Sequence, residues 1–283
     1  MKQKYKWFVG VMMAGVLGIG TTSCVDEIKF GNSFLEKAPG GSATQDTIFN
    51  SVTYTRQFLN TCYSRQYYGL PYVNSSVDDF PDSSNPYTGK FDALTDCWQL
   101  HYSGTTVYNS YYSGTHTANY GIRGDIFGYT REGVWQTVRW CWLLLENVDR
   151  VPGMGEDEKV KMKAEAKCLI AARYFDMFRH YGGLPLIYAS FMGTETNYQL
   201  PRATVEETVN YMDKMLEEAI ESGGLKWAYE GADFNSDSGH WTLAGAMALR
   251  CKLWQFAASP LFNDTQGYAG GRSEAEQQHL VWY

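Results

Sequence analysis

The sequence predicts an all-α fold of the tetratricopeptide-like type, a helical-repeat superhelix carrying one long aromatic-rich loop excursion. Three observations carry that expectation. Five segments repeat apolar residues at helical spacing, and most have recognisable caps. Small residues recur where such helices would meet: Ala166, Ala171 and Ala172 in the third, Gly245, Ala246 and Ala248 in the fifth. Between the first two segments, residues 67–129 have no sustained helical period, yet hold fourteen aromatic residues in 63 positions. The repeat is degenerate, so helix lengths and short turns, rather than a sharp period, support the superhelix.

The chain opens with Lys2, Lys4 and Lys6, an apolar run from Phe8 to Gly20, and the small residues Thr21, Thr22 and Ser23 before Cys24. That is the layout of a secretory signal, and the run is too short for a comfortable bilayer span. Small residues ending at a cysteine also resemble a bacterial lipobox, in which the thiol is acylated and becomes the new N-terminus. Thr21 stands where the common pattern has Leu. Residues 1–23 are therefore expected to be a lipoprotein signal peptide and Cys24 the lipid anchor, with a plain signal peptide as the alternative.

Losing the signal removes three lysines, taking the basic residues from 24 to 21 against 31 acidic ones, a formal balance of −10. A chain this acidic is a poor partner for nucleic acid, which needs clustered Lys and Arg. The remaining 260 residues, 24–283, are ample for a large helical domain.

The first helix is expected from Ser51 to Gln66, with Val52, Phe58, Leu59, Cys62 and Tyr63 inward. The second, Arg131 to Asp149, places Trp135, Val138, Trp142, Leu145 and Val148 on its inner face and is apolar over more than half its girth. The third runs from Glu156 to Tyr181, where Gly182 and Gly183 offer a left-handed cap and Pro185 prevents continuation. The fourth starts at a Thr204–Glu207 capping box and points Val205, Val209, Met212, Leu216, Ala219 and Ile220 inward, ending at Gly223-Gly224. The fifth spans Thr242 to Ala258, before Pro260. Arg173 and Arg179 are expected to pair with acids between helices.

A further capping box, Ser273–Glu276, stands so close to the last residue that the chain reads as the N-terminal part of a larger protein. Of the cysteines beyond Cys24, Cys62, Cys141, Cys168 and Cys251 fall in helical segments and are expected in the core, with Cys97 in a loop. Their spacing suggests neither a disulfide framework nor a zinc site.

The excursion combines the ingredients of a sugar site: flat apolar rings for CH faces, flanked by side chains that exchange hydrogen bonds with hydroxyls. Trp98 and Tyr102 lie together with Asp96, Gln99 and His101; Tyr111 and Tyr112 follow with Tyr108 and Asn109. We select Trp98 as the stacking platform, with Tyr102, Asp79, Asn109, Tyr111 and Tyr112 as further ligand contacts. The plainer alternative is that these rings pack the excursion onto the helices.

Catalytic readings find little support. Asp78, Asp79 and Asp82 cluster, but solvated loop acids are far commoner than a glycosidase pair. No HExxH, GxSxG elbow or Walker loop occurs. "DFNSDSGH" (233–240) alternates acids like a calcium loop, but its glycine is one place late and Ala244 stands where a bidentate Glu belongs. That segment is expected to cap the fifth helix instead. No cofactor or metal is expected.

Several motifs together resemble the SusD/RagB family of outer-membrane nutrient-binding lipoproteins. "SFLEKAPGGSATQDTIFNSVTYTRQFLNTCYS" is similar to that family's opening, and "VWQTVRWCWLLLENVD" to its Trp- and Asn-bearing helix. "KAEAKCLIAARYFDMFRHYGGLPLI" resembles its signature helix and Y-G-G turn, although Cys168, Ile170 and Ala172 depart from the usual residues. "RATVEETVNYMDKMLEEAIE" and "GHWTLAGAMALRCKLWQFAASPLFND" continue the series in family order. The resemblance implies a non-enzymatic, lipid-anchored protein of the outer membrane facing the exterior. It would capture an oligosaccharide, or in some members a peptide, for a SusC-like TonB-dependent transporter. It implies that Asp26 and Glu27 act as a surface-export signal. Family members being roughly twice as long, it also implies that half of the fold lies outside this chain. A helical-repeat adaptor that contacts only protein remains the alternative.

Overall fold

The computed structural model describes residues 45–64, 95–97, 99, 112–115, 132–191, 199–263 and 273–283. Apart from Gln45, all of these belong to one compact unit, Asp46–Tyr283. Among the described residues, helix is the regular secondary structure throughout.

A short helix, α1 (Gln45–Phe49), precedes α2 (Val52–Tyr63). Ser51 separates them in an extended conformation, and its hydroxyl accepts the Tyr54 amide at 3.4 Å as an N-cap. Buried Thr55 seals the break by donating to the carbonyls of Ile48 (3.0 Å) and Ser51 (2.9 Å). Next come α3 (Glu132–Asn147), tightened into a 3₁₀ turn at Val148–Arg150, and α4 (Glu156–Tyr181). After these follow α5 (Val205–Glu221), α6 (Ala232–Asp237), α7 (Leu243–Ala257), α8 (Pro260–Asn263) and α9 (Glu274–Gln277).

All five expected helices are present, at nearly their expected bounds. Both capping boxes form: Thr204 exchanges bonds with Glu207, and Ser273 with Glu276. Thr242, not the 233–240 segment, caps α7, accepting the Gly245 amide at 3.0 Å. The 233–240 segment instead winds part of itself into α6.

Packing follows tetratricopeptide logic. Each long helix lies on its successor, α2 on α3, α3 on α4, α4 on α5 and α5 on α7. Alternate helices also touch, α2 with α4 and α4 with α7, so these three form one layer and α3 and α5 the other. α4 is the hub. From Ala164 to Phe178 nearly every side chain is buried, with Ala164, Ala166, Ala171 and Ala172 letting neighbours close in. Each large apolar side chain so buried, such as Leu169, Ile170 or Phe178, contributes about 1.5–3 kcal/mol. Phe178 stacks on Phe262 (4.9 Å), with Phe256 edge-on to both, joining α4 to α7 and α8.

Three expectations are corrected. The buried seam of α3 is Val138, Cys141, Leu144 and Val148, and Trp135, Trp142 and Leu145 flank it half-buried. Arg173 and Arg179 meet Asp176 of their own helix, at 3.8 and 2.7 Å, three residues away in each case. Cys62, Cys141 and Cys168 are buried, but Cys251 is exposed. α7 turns Ala246, Leu253 and Ala257 inward, and Cys251, five residues past Ala246, sits about 140° around the helix. The short helices α6 and α8 gave no sharp sequence signal, being too short for a period.

Gly182 and Gly183 end α4 for reasons beyond conformation. Gly182 has φ +71°, and a Cβ there would lie 2.3 Å from the Leu280 carbonyl oxygen. At Gly183 a Cβ would lie 2.0 Å from that of Ala203. Three backbone runs meet here. The Gly183 amide donates to Leu280 O (2.7 Å), Val205 to His279 O (2.8 Å) and Tyr283 to Phe262 O (2.8 Å). The last residues thus satisfy an N-terminal amide of α5 that the helix itself leaves without an acceptor.

Candidate functional site

Of the residues singled out from sequence, Cys24, Asp26, Glu27, Asp79, Trp98, Tyr102, Asn109 and Tyr111 lie outside the described residues. Tyr112 opens a turn closed by Gly114 (φ +68°), and the residue is 39% exposed. Cys97 is exposed in a turn, its amide donating to Thr95 Oγ1 at 3.3 Å.

The described residues line an open cleft of about 740 Å³ elsewhere, between α2, the first half of α4 and the segment 222–240. Helical spacing builds two walls: Arg56, Leu59 and Asn60 on α2, and Asp157, Glu158, Lys161 and Glu165 on α4. The third wall is Ser222 to Lys226, pressed directly onto α4. A Cβ on Gly224 would lie 2.8 Å from the Lys161 amide nitrogen, so only glycine allows that approach. Ser236, Asp237 and His240 close the far side.

Beneath this lining lies Glu165, 0% exposed in the middle of the Ala-rich hub. Its Oε2 accepts from Tyr63 Oη at 2.8 Å and from His240 Nδ1 at 2.9 Å. Tyr63 accepts in turn from the Trp241 amide at 2.8 Å, and its ring packs on His240 at 4.5 Å. A buried carboxylate is tolerated only with such donors. Burial, then the charge of Glu165, push the Tyr63 hydroxyl far above its ordinary pKa, so it remains a donor. The other oxygen, Oε1, receives no hydrogen bond from the protein. Lys161 Nζ stands 3.8 Å from it.

Each cation in this lining already holds an acid. Arg56 forks onto Glu158 through two bonds, 2.5 and 2.9 Å long. Lys161 donates to Asp237 at 2.7 Å and lies 5.2 Å from the Tyr229 ring centroid. Lys226 pairs with Asp233 at the rim. Partial burial works to raise Asp237, but the bond and charge of Lys161 outweigh it and hold this carboxyl below its usual value. The carboxylates of the calcium-like segment are thus engaged by lysines. Among the described residues, no three His, Cys, Asp or Glu side chains gather to hold a metal.

Two further features stand apart. An aromatic ladder, Trp135–Tyr174–Tyr211–Tyr188, has centroids 6.0, 4.8 and 5.2 Å apart and runs from the core to solvent. Tyr174 and Tyr211 use their hydroxyls to pin the backbone of Pro185 and Ile187. On α7 and α8, Met247, Cys251, Trp254 and Leu261 are exposed.

The Glu165 cluster escaped the sequence reading. Its one signal was an acid between Ala164 and Ala166 in a helix that must be buried, which demands partners without saying where they come from.

No protein-family model matches the sequence, and no curated protein matches it. Solved structures do. A SusD-like protein from Bacteroides fragilis superposes with a TM-score of 0.50 at 22% identity, over 77% of this chain and 37% of that one. A SusD superfamily protein from Bacteroides thetaiotaomicron gives 0.53 at 14% identity, over 77% and 48%. Surface glycan-binding protein A from Bacteroides fluxus gives 0.50 at 15% identity, over 72% and 39%. The chain therefore has the SusD-like helical fold, and it spans 37 to 48% of the length of these structures.

Proposed function

We propose that this chain is a cell-surface lipoprotein that binds nutrient glycans and delivers them to a SusC-like TonB-dependent outer-membrane transporter, by binding and not by catalysis. The observation that carries the reading is the fold shared with SusD-like proteins and with a protein named as a surface glycan-binding protein. The sequence adds the lipobox at Cys24, the acidic pair Asp26 and Glu27, and the excursion with Trp98, Tyr102, Asp79, Asn109, Tyr111 and Tyr112. Among the described residues no helix is long and apolar enough to cross a membrane. Attachment in this reading is by the lipid on Cys24.

The test is a broad glycan screen with the full chain, alongside Trp98→Ala, and affinity capture from outer membranes. Binding weakened by Trp98→Ala and a co-purifying TonB-dependent transporter support the reading. Neither a glycan nor a transporter would end it. Palmitate labelling lost in Cys24→Ala checks the anchor.

The exposed apolar face of α7 favours a second reading, a protein–protein adaptor or a peptide-binding relative. It predicts that Met247→Lys abolishes complex formation while Trp98→Ala leaves uptake untouched.

A further inference from the structure

We propose that Cys62 of α2 and Cys141 of α3 close to a disulfide when the chain folds in an oxidising compartment, tying off the loop that carries the aromatic excursion. Both residues are 0% exposed and sit in the buried seams of their helices, Cys62 in line with Thr55 and Leu59, Cys141 between Val138 and Leu144. α2 and α3 pack directly on one another. They run antiparallel: Arg150, just past the end of α3, bonds Asp46 at 2.9 Å and lies 5.7 Å from the Phe49 ring centroid, both ahead of α2. The far end of α2 therefore lies alongside the body of α3, and there the two thiols share a hydrogen bond. Closing from that contact to an S–S bond of about 2.0 Å takes side-chain rotation and a small approach of the helices, with no rearranged backbone. Of the other described cysteines, Cys97 and Cys251 are exposed and Cys168 sits on α4.

Packing alone does not require this pair. Val138 and Leu144 fill the neighbouring seam positions with larger apolar groups, whereas two facing thiols exchange only weak donors and acceptors. Oxidation takes both S–H groups out of the core and turns a contact into a bond. The step is thiol–disulfide exchange with a disulfide-bearing oxidant. The thiolate of one cysteine attacks the oxidant, forming a mixed disulfide and releasing one thiolate. The thiolate of the other cysteine attacks the protein sulfur of that bond and expels the second. The two protons lost by the cysteines end on the two released thiols, and the oxidant is reduced by two electrons. Packing seals both sulfurs from solvent, so the exchange takes place while α2 and α3 are coming together. The covalent loop encloses residues 63–140, and with them the whole excursion, 67–129. Closing so long a loop removes much of the freedom of the unfolded chain. In the cell the bond rests on the export reading of residues 1–23, because exported compartments keep disulfides and the cytosol does not.

The test is oxidative refolding of the full chain carrying Cys24→Ala, diluted from urea into a mixture of reduced and oxidised glutathione. Free thiols are then alkylated in denaturant and the digest is read by mass spectrometry. The expected product joins the Cys62 peptide to the Cys141 peptide, lighter by two hydrogens than their sum, with Cys97, Cys168 and Cys251 alkylated. Its urea midpoint should exceed that of the same chain refolded with reductant by about 1 M or more. Cys141→Ala should lose both the cross-link and the rise; should that variant fail to fold, the reduced and oxidised forms of the parent chain decide. Alkylation of both Cys62 and Cys141, Cys62 paired with any other cysteine, or a midpoint that does not rise overturns the proposal. None of these results involves export, a glycan or a transporter, so each leaves the proposed function standing.

Discussion

Replacing Tyr63 with Phe removes one oxygen and leaves the ring on His240 in place. That oxygen donates to buried Glu165 at 2.8 Å and accepts from the Trp241 amide at 2.8 Å. Losing a hydrogen bond to a charged group costs about 1.5–3 kcal/mol, and leaving an amide without an acceptor about 1–3 more. The amide is only partly buried, so we take the lower part of both ranges and expect a loss of about 3 kcal/mol. For a chain of this size that lowers the melting temperature by about 6–12 °C. The assay is equilibrium urea unfolding followed by tryptophan fluorescence, with an unchanged m-value as the check that only stability moved. Tyr229→Phe is the control. Its hydroxyl makes one bond, to Trp241 O at 3.0 Å, and its loss should cost about 1 kcal/mol. If Tyr63→Phe costs no more than Tyr229→Phe, the idea that Glu165 is held in the core by its donors is wrong. A double-mutant cycle with Glu165→Gln sharpens the point, because the two substitutions should be non-additive by about 1 kcal/mol.

Gly183→Ala should unfold the chain or cost more than about 3 kcal/mol, since its Cβ meets backbone; Gly155→Ser, whose Cβ meets nothing within 4 Å and which keeps a good N-cap for α4, should change stability by less than about 0.5 kcal/mol in the same urea titration. Asp213 accepts from Arg250 (2.7 and 3.0 Å) and Trp254 (2.7 Å), and although partial burial opposes them these bonds hold its pKa below the ordinary value. Its contribution is therefore complete above the unfolded carboxylate pKa and drains as pH falls through the folded one, so the stability gap between wild type and Asp213→Asn should shrink below about pH 4. Maleimide should label Cys97 and Cys251 in the native protein and leave Cys62, Cys141 and Cys168 untouched until denaturant is added. The bond with Cys62, and then burial, push Cys141 up, and burial pushes up Cys168, so neither offers thiolate.

What sequence makes legible here is what local physics decides. Thr204 and Glu207 sit three apart because a capping box needs that spacing, and Gly182 follows Tyr181 because only glycine takes φ +71° at that turn. The inner face of α5 was readable for the same reason: one helix buries one stripe. α3 was harder. It is apolar nearly all round, so periodicity could not choose between Trp135–Trp142 and the true seam one residue over, Val138–Cys141–Leu144. Cys251 misled because residue type suggests burial, whereas the neighbours of α7 decide it. The Glu165 cluster joins residues from α2, α4 and the segment after α6, and no local rule links positions 63, 165 and 240. Pairings across such distances belong to the tertiary fold.

The seam where Leu280 and His279 meet Gly183 and Val205 also sets a timetable. A chain emerges N-terminus first, whether from a ribosome or through a translocation channel. At about 5–20 residues per second, Gly183 appears on the order of ten seconds before Leu280. During that interval the α4–α5 hairpin has its helices but not the acceptors for two of its amides, and Phe178 lacks the ring of Phe262. The hub is therefore made early and sealed late, and the partly assembled helices present their apolar side to whatever holdase or neighbouring chain is at hand. A variant that weakens this seam should show itself first as poor yield, before any loss in the binding of the folded protein.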